Sequence, residues 1–99
     1  MIRMAVYYRA PEDAAAFEQR YVEGHLPLVQ KYEHMVSSSF HKMTRSLQGD
    51  FPYAYVFVGS WETKDDWKAD LSSEQAKIAT EDAQSFAPPF DVAVFETIA

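Results

Sequence analysis

At the start of the chain apolar and polar side chains follow one another with a period of two. Ile2, Met4, Val6 and Tyr8 fall on one side of an extended backbone, and Arg3, Ala5, Tyr7 and Arg9 on the other, which predicts a strand over 1–9. The period then changes. Pro11 opens a helix with Glu12 and Asp13 in its first turn, where the helix dipole favours negative charge; Ala14, Phe17 and Tyr21 recur at helical spacing as its expected buried stripe. Gly24 is expected to cap that helix at its C-terminus. Pro27 is expected to start a second, short helix running to about Tyr32. Residues 36–46 read as a second strand of weaker alternation, containing Ser37-Ser38-Ser39. A turn at Gln48-Gly49-Asp50 leads into a third strand, Tyr53 to Trp61, which is apolar on both faces. Thr63 with Asp66 starts a helix carrying Trp67 and Leu71, and Ser72 with Gln75 restarts one through Ala76, Ile78, Ala79 and Ala83. Pro88-Pro89 ends the helical region, and residues 90–98 alternate as a last strand.

The order is β-α-β-β-α-β with each helix in two pieces. This is an α+β chain of ferredoxin-like pattern, in which a four-stranded antiparallel sheet carries its helices on one face. Two helices cover one side of such a sheet, yet the third strand is apolar on both. The loops are too short to cover the remaining face, so a second copy of the chain is expected there. The expected assembly is a homodimer with its two sheets face to face, a dimeric α+β barrel.

Ninety-nine residues suit one domain over 1–99. The absence of cysteine removes disulfides, thiolate metal sites and thiol nucleophiles. A net charge of −6 argues against a nucleic-acid partner. That charge sits in the second half, net −7 against +1 for the first, as expected of solvated helix faces. No stretch is long and apolar enough for a membrane span, and the first residues lack a signal-peptide layout, so a cytoplasmic setting is expected.

Among the three histidines, His25 draws attention. It lies in Gly24-His25-Leu26-Pro27-Leu28-Val29, one helical step of four beyond Tyr21, and that register points its imidazole toward the sheet, near Tyr8 and Tyr21. An imidazole among tyrosines in an apolar cleft can relay protons near neutral pH. Spacing leaves open the plainer role of satisfying backbone carbonyls at the helix break. His34 is expected to be solvated, and His41 to face solvent, the barrel or a partner. No metal is expected, since no histidine pair has metal-face spacing and no HExxH occurs; GxSxG and phosphate-cradling glycine loops are absent too. The aromatic content of 15% serves core and interface packing, with Tyr55, Phe57 and Trp61 as candidate walls of an apolar ligand pocket.

Tyr8, Pro11-Glu12-Asp13, Phe17, Tyr21 and above all His25-Leu26-Pro27-Leu28-Val29 resemble the EthD family of the dimeric α+β barrel superfamily, along with Pro52-Tyr53, the aromatic end near Trp61 and the Phe-rich close. The resemblance implies a homodimer of ferredoxin-like subunits with a ligand cleft between sheet and helices and His25 at its edge. Tyr8 and Tyr21 then orient the ligand or the imidazole. The Ser-rich second strand is not a family feature. Two functions are compatible with this. One is a cofactor-free enzyme of catabolic or secondary metabolism, an isomerase, cyclase or lyase that moves a proton on an apolar carbonyl compound, with His25 as acid/base. The other is a non-catalytic protein holding a small apolar or aromatic metabolite for a neighbouring oxygenase; a haem-binding variant would use His25 or His41 as axial ligand. A reductase role finds no nicotinamide or flavin motif.

Overall fold

The computed structural model describes residues 1–99. The elements run β1 (Ile2–Arg9), α1 (Ala14–Arg20), a π-helical turn (Tyr21–His25), α2 (Leu26–Val29), β2 (Ser37–Lys42), β3 (Tyr53–Trp61), α3 (Lys64–Leu71), α4 (Glu74–Phe86) and β4 (Phe90–Glu96). The strands form one antiparallel sheet in the order β2-β3-β1-β4. The expected α+β, ferredoxin-like β-α-β-β-α-β subunit is therefore the fold observed.

The two long apolar strands lie in the middle of the sheet, where both edges are paired, and the Ser-rich β2 and the short β4 form the rims. Tyr8, Tyr55 and Phe57 pack from the sheet against Phe17, Tyr21, Val29 and Ala79 from the helices, and Ile2, Met4 and Trp61 form a second, smaller cluster. Full burial of a large apolar side chain stabilises by roughly 1.5–3 kcal/mol, so the three almost wholly buried rings of Tyr8, Tyr21 and Trp61 anchor the helix layer.

Several local expectations are corrected. Asp13 is the N-cap of α1, its carboxylate accepting from the Ala16 amide at 3.1 Å; Pro11 and Glu12 precede the helix, and Ala14 is exposed rather than buried. Gly24 does not cap a helix in the left-handed region, since Gly49 alone has positive φ. The helix continues instead: Leu26 N–H donates to the Tyr21 carbonyl five residues back, a wider turn that carries the chain past Pro27, which has no N–H to give. Ser73, not Ser72, caps α4, its hydroxyl accepting from the Ala76 amide at 3.2 Å. In α3, Leu71 is exposed and Asp70 is the buried residue. Its carboxylate accepts from Trp61 Nε1 at 2.7 Å and from the His34 amide at 3.0 and 3.2 Å, clamping α3 to the sheet. A bulge between Tyr8 and Arg9 pairs Arg9 with Tyr53. It turns Tyr53 away from Tyr55, onto the helix-free face beside Tyr7, with ring centroids 5.3 Å apart.

Candidate functional site

A cavity of about 150 Å³ lies between the sheet and the helices. Met4, Val6, Tyr8, Phe57, Phe90 and Val92 form its sheet wall, and the π turn, α2 and α4 supply Tyr21, His25, Val29, Ala79, Thr80 and Ala83. Tyr32 and Leu71 complete it. No Lys, Arg, Asp or Glu is among these residues. Helices stop short of β4, so Val92 remains half exposed and marks the open side.

His25 reaches this cavity because the π turn packs about 4.4 residues into a turn, which sets residues four apart nearly in line. Tyr21 and His25 are accordingly both buried and face the same way, with ring centroids 4.8 Å apart. The Tyr21 ring is also stacked on Phe40, at 3.9 Å, and its hydroxyl lies 2.9 Å from that of Tyr8. Burial pushes the Tyr8 phenol up to about 12 and that of Tyr21 up as well, so both are neutral hydroxyls at pH 7. One O–H of the pair is spent on the other, leaving one to donate elsewhere.

His25 satisfies no backbone carbonyl. Its Nδ1 lies 3.0 Å from Asp82 Oδ2 on α4. Arg20 grips the same carboxylate, Nη1 on Oδ2 at 3.2 Å and Nη2 on Oδ1. The guanidinium holds the Asp82 carboxyl below its usual range, so this group is an acceptor only and Nδ1 must carry the hydrogen. Nε2 then has the lone pair and makes no hydrogen bond within the chain. Burial lowers the imidazole pKa; Asp82 opposes this, and the Arg20 charge adds to the lowering. Burial outweighs the Asp82 contact, with a smaller contribution from Arg20, and the ring is neutral at pH 7.

Of the residues singled out in the sequence, the structure brings Tyr8, Tyr21, His25 and Phe57 to one cavity. Tyr55 and Trp61 share their sheet face but do not line the cavity: Tyr55 donates to Glu18 at 2.6 Å, and Trp61 is tied to Asp70. His34 is half exposed, with Glu33 and Asp66 nearly 4 Å away; His41 is exposed and bonded to Ser39. No three His, Asp or Glu side chains converge into a metal-holding set. Asp82 and Arg20 escaped the sequence reading. Asp82 did leave a trace, since it follows Ala79 by three and flanks Ala83 on the buried stripe of α4; its pairing with His25 is a contact across 57 positions.

No family model matches the chain. An uncharacterised 11.0 kDa protein of Rhodococcus erythropolis, from the thcB–thcC intergenic region, is 32% identical over 88 residues, covering 88% of this chain and 84% of that protein. The chain belongs to that protein's family. Among solved structures, an ethyl tert-butyl ether D (EthD) family protein from Bacillus halodurans superposes with a TM-score of 0.90 at 20% identity, over 99% of both chains. SnoaB, a cofactor-independent oxygenase from Streptomyces nogalater, gives 0.72 at 11% identity, over 99% of this chain and 93% of that one. A dimeric ferredoxin-like protein from Thermobifida fusca gives 0.72 at 14% identity, over 97% and 90%. The expected EthD likeness holds, and the fold is the ferredoxin-like one of these proteins. No helix is long and apolar enough to cross a membrane.

Proposed function

We propose that this chain binds a small, uncharged, apolar carbonyl compound and moves a proton on it, with His25 as the base. The observation that carries this reading is the hydrogen bond from His25 Nδ1 to Asp82, which leaves a neutral Nε2 with its lone pair on a ring that lines an apolar cavity. A cavity of about 150 Å³ suits a ligand of about one six-membered ring, the size at which an engineered apolar cavity takes up benzene. With no cationic side chain on the wall, a carboxylate ligand would be buried unpaired at high cost. In the reaction Nε2 takes a proton from the carbon beside the carbonyl. The free hydroxyl of the Tyr8–Tyr21 pair donates to the carbonyl oxygen as charge gathers there, and the imidazolium returns the proton to the same or a neighbouring atom. Only a proton moves, so the balance calls for no oxidant. SnoaB, a cofactor-independent oxygenase on the same fold, is in keeping with small-molecule chemistry run by the protein alone.

A homodimer is part of this proposal. On the helix-free face Ala5, Tyr7, Val56 and Val58 form an apolar centre between the charged or polar Arg3, Arg9, Ser37 and Ser39, the layout of an interface core with a polar rim. A second reading is a carrier that holds the same kind of compound for another enzyme. It is favoured by the lining itself, in which every residue but His25 and Thr80 is hydrophobic.

Deuterium exchange separates the two. Incubating single-ring ketones and lactones in heavy water with the protein should speed exchange of the hydrogen next to the carbonyl, and His25→Gln should remove about 10²–10⁴-fold of it. Saturable binding without exchange would favour the carrier. Exchange undiminished in a folded His25→Gln variant would overturn the role of His25.

A further inference from the structure

Arg20 is a long, half-exposed side chain at the end of α1, and an ordinary surface ion pair would leave it free to move. Three features fix it instead. Both of its terminal nitrogens bind Asp82, and its guanidinium carbon sits 4.2 Å over the centre of the Phe86 ring. The third is a missing atom: a Cβ at Gly24 would come within 2.4 Å of Arg20 Nη1 and 3.2 Å of its guanidinium carbon. Gly24 is therefore not a helix terminator but the gap through which the guanidinium reaches α4.

We propose that Arg20, laid across Gly24, is a positioning residue that holds Asp82 in place against His25 and keeps the imidazole in its neutral, Nδ1-protonated form. This rests on the reading of His25 as a base, and deepens it. The titratable and charged groups around the imidazole are Arg20 and Tyr21 from its own helix, Tyr8 from β1, Tyr32 beyond α2 and Asp82 from α4. Arg20 and Asp82 alone among them are charged at neutral pH. A lone carboxylate at Nδ1 would stabilise the imidazolium, which cannot accept a proton. A carboxylate already paired with a guanidinium still orients the ring through its hydrogen bond but presents less net negative charge to it. The arrangement thus shifts the balance from charge toward orientation: Asp82 holds the ring, and Arg20 offsets part of the negative charge.

The test reads His25 itself, in protein without substrate, by NMR of its ring nitrogens across pH. In Arg20→Gln the titration midpoint should rise by at least a few tenths of a unit, whereas Arg20→Lys, which keeps the positive charge, should return it most of the way to wild type. Gly24→Ala, which leaves every charged group in the sequence, should move it upward too by displacing the guanidinium. A midpoint and tautomer unchanged in folded Arg20→Gln would overturn the proposal and reduce Arg20 to a helix-to-helix tie visible only in thermal stability. An unchanged midpoint in Gly24→Ala would overturn the role of the gap. Because no turnover is measured, these outcomes stand apart from success or failure of the exchange assay: His25 can titrate as proposed in a protein that proves to be a carrier.

Discussion

At the residue scale, His25 is withdrawn from water, 4% exposed; it has a carboxylate at Nδ1, and its side chain lines an apolar hollow. Its lowered pKa has a consequence for stability. The unfolded chain takes up a proton near pH 6.5, while the folded imidazole resists it, so the unfolded state binds more protons in the window below 6.5. Stability from this group is fully present above pH 6.5 and is lost as pH falls through the folded value. Asp82, also lowered, acts in the same direction in a more acid window, below the ordinary carboxylate range. Denaturant unfolding at pH 7.5 and 5.5 should therefore show a loss on acidification that is smaller in His25→Gln; an equal loss in both proteins would contradict the burial argument. Asp82→Asn should cost about 1.5–3 kcal/mol, the worth of hydrogen bonds to a charged group, by the same unfolding measurement. The register from Phe17 through Tyr21 was enough to aim His25 inward. It could not name Asp82, because a carboxylate on α4 is one of ten acidic residues in that half of the chain, and only the packing of α4 on the π turn selects it.

At the scale of elements, alternation placed β1, β4 and more weakly β2, because a period of two is a property of the strand itself, and a run apolar on both faces placed β3. Helix ends and turns were less legible. Ser72 and Ser73 are adjacent, both are good caps, and Gln75 completes a capping box with the first; the structure uses Ser73 and sends Gln75 Nε2 to the Leu28 carbonyl at 2.8 Å. Ser73→Ala should accordingly cost about 1 kcal/mol while Ser72→Ala costs little, and thermal unfolding of the two variants distinguishes them. Gly24 and Pro27 look locally like a stop and a restart, yet one wide turn carries the helix through both. Tyr53 follows the alternation of β3 on paper, but a one-residue bulge sends it to the other face. The π turn and the bulge are decided by neighbours far away in sequence, α4 for the first and β1 for the second. The buried Asp70 is of the same kind: its three hydrogen bonds come from Trp61 and His34. In Asp70→Asn the amide group would turn a donor toward one of those donors, a loss of about 1–3 kcal/mol in the same unfolding assay.

For the whole molecule, the segregation of helices to one face followed from the order of elements, which is the ferredoxin-like pattern, whereas the strand order β2-β3-β1-β4 is a finding of the structure. Val56 and Val58 lie half buried at the centre of a face that no helix covers, and Phe95 on β4 lies at its margin, 48% exposed. Sedimentation at micromolar concentration should give twice the 11.3 kDa of the chain, and Val58→Glu, which puts a charge at the centre of that apolar face, should give a monomer. A wild-type monomer would leave the apolar face without a partner and contradict that part of the account.

The whole reading turns on which nitrogen of His25 holds the hydrogen. Nitrogen NMR of the wild-type protein at pH 7, with histidine ring nitrogens labelled, observes this directly. The account predicts a neutral ring with its hydrogen on Nδ1 and a bare Nε2. A ring protonated on Nε2 alone, or on both nitrogens, would contradict it.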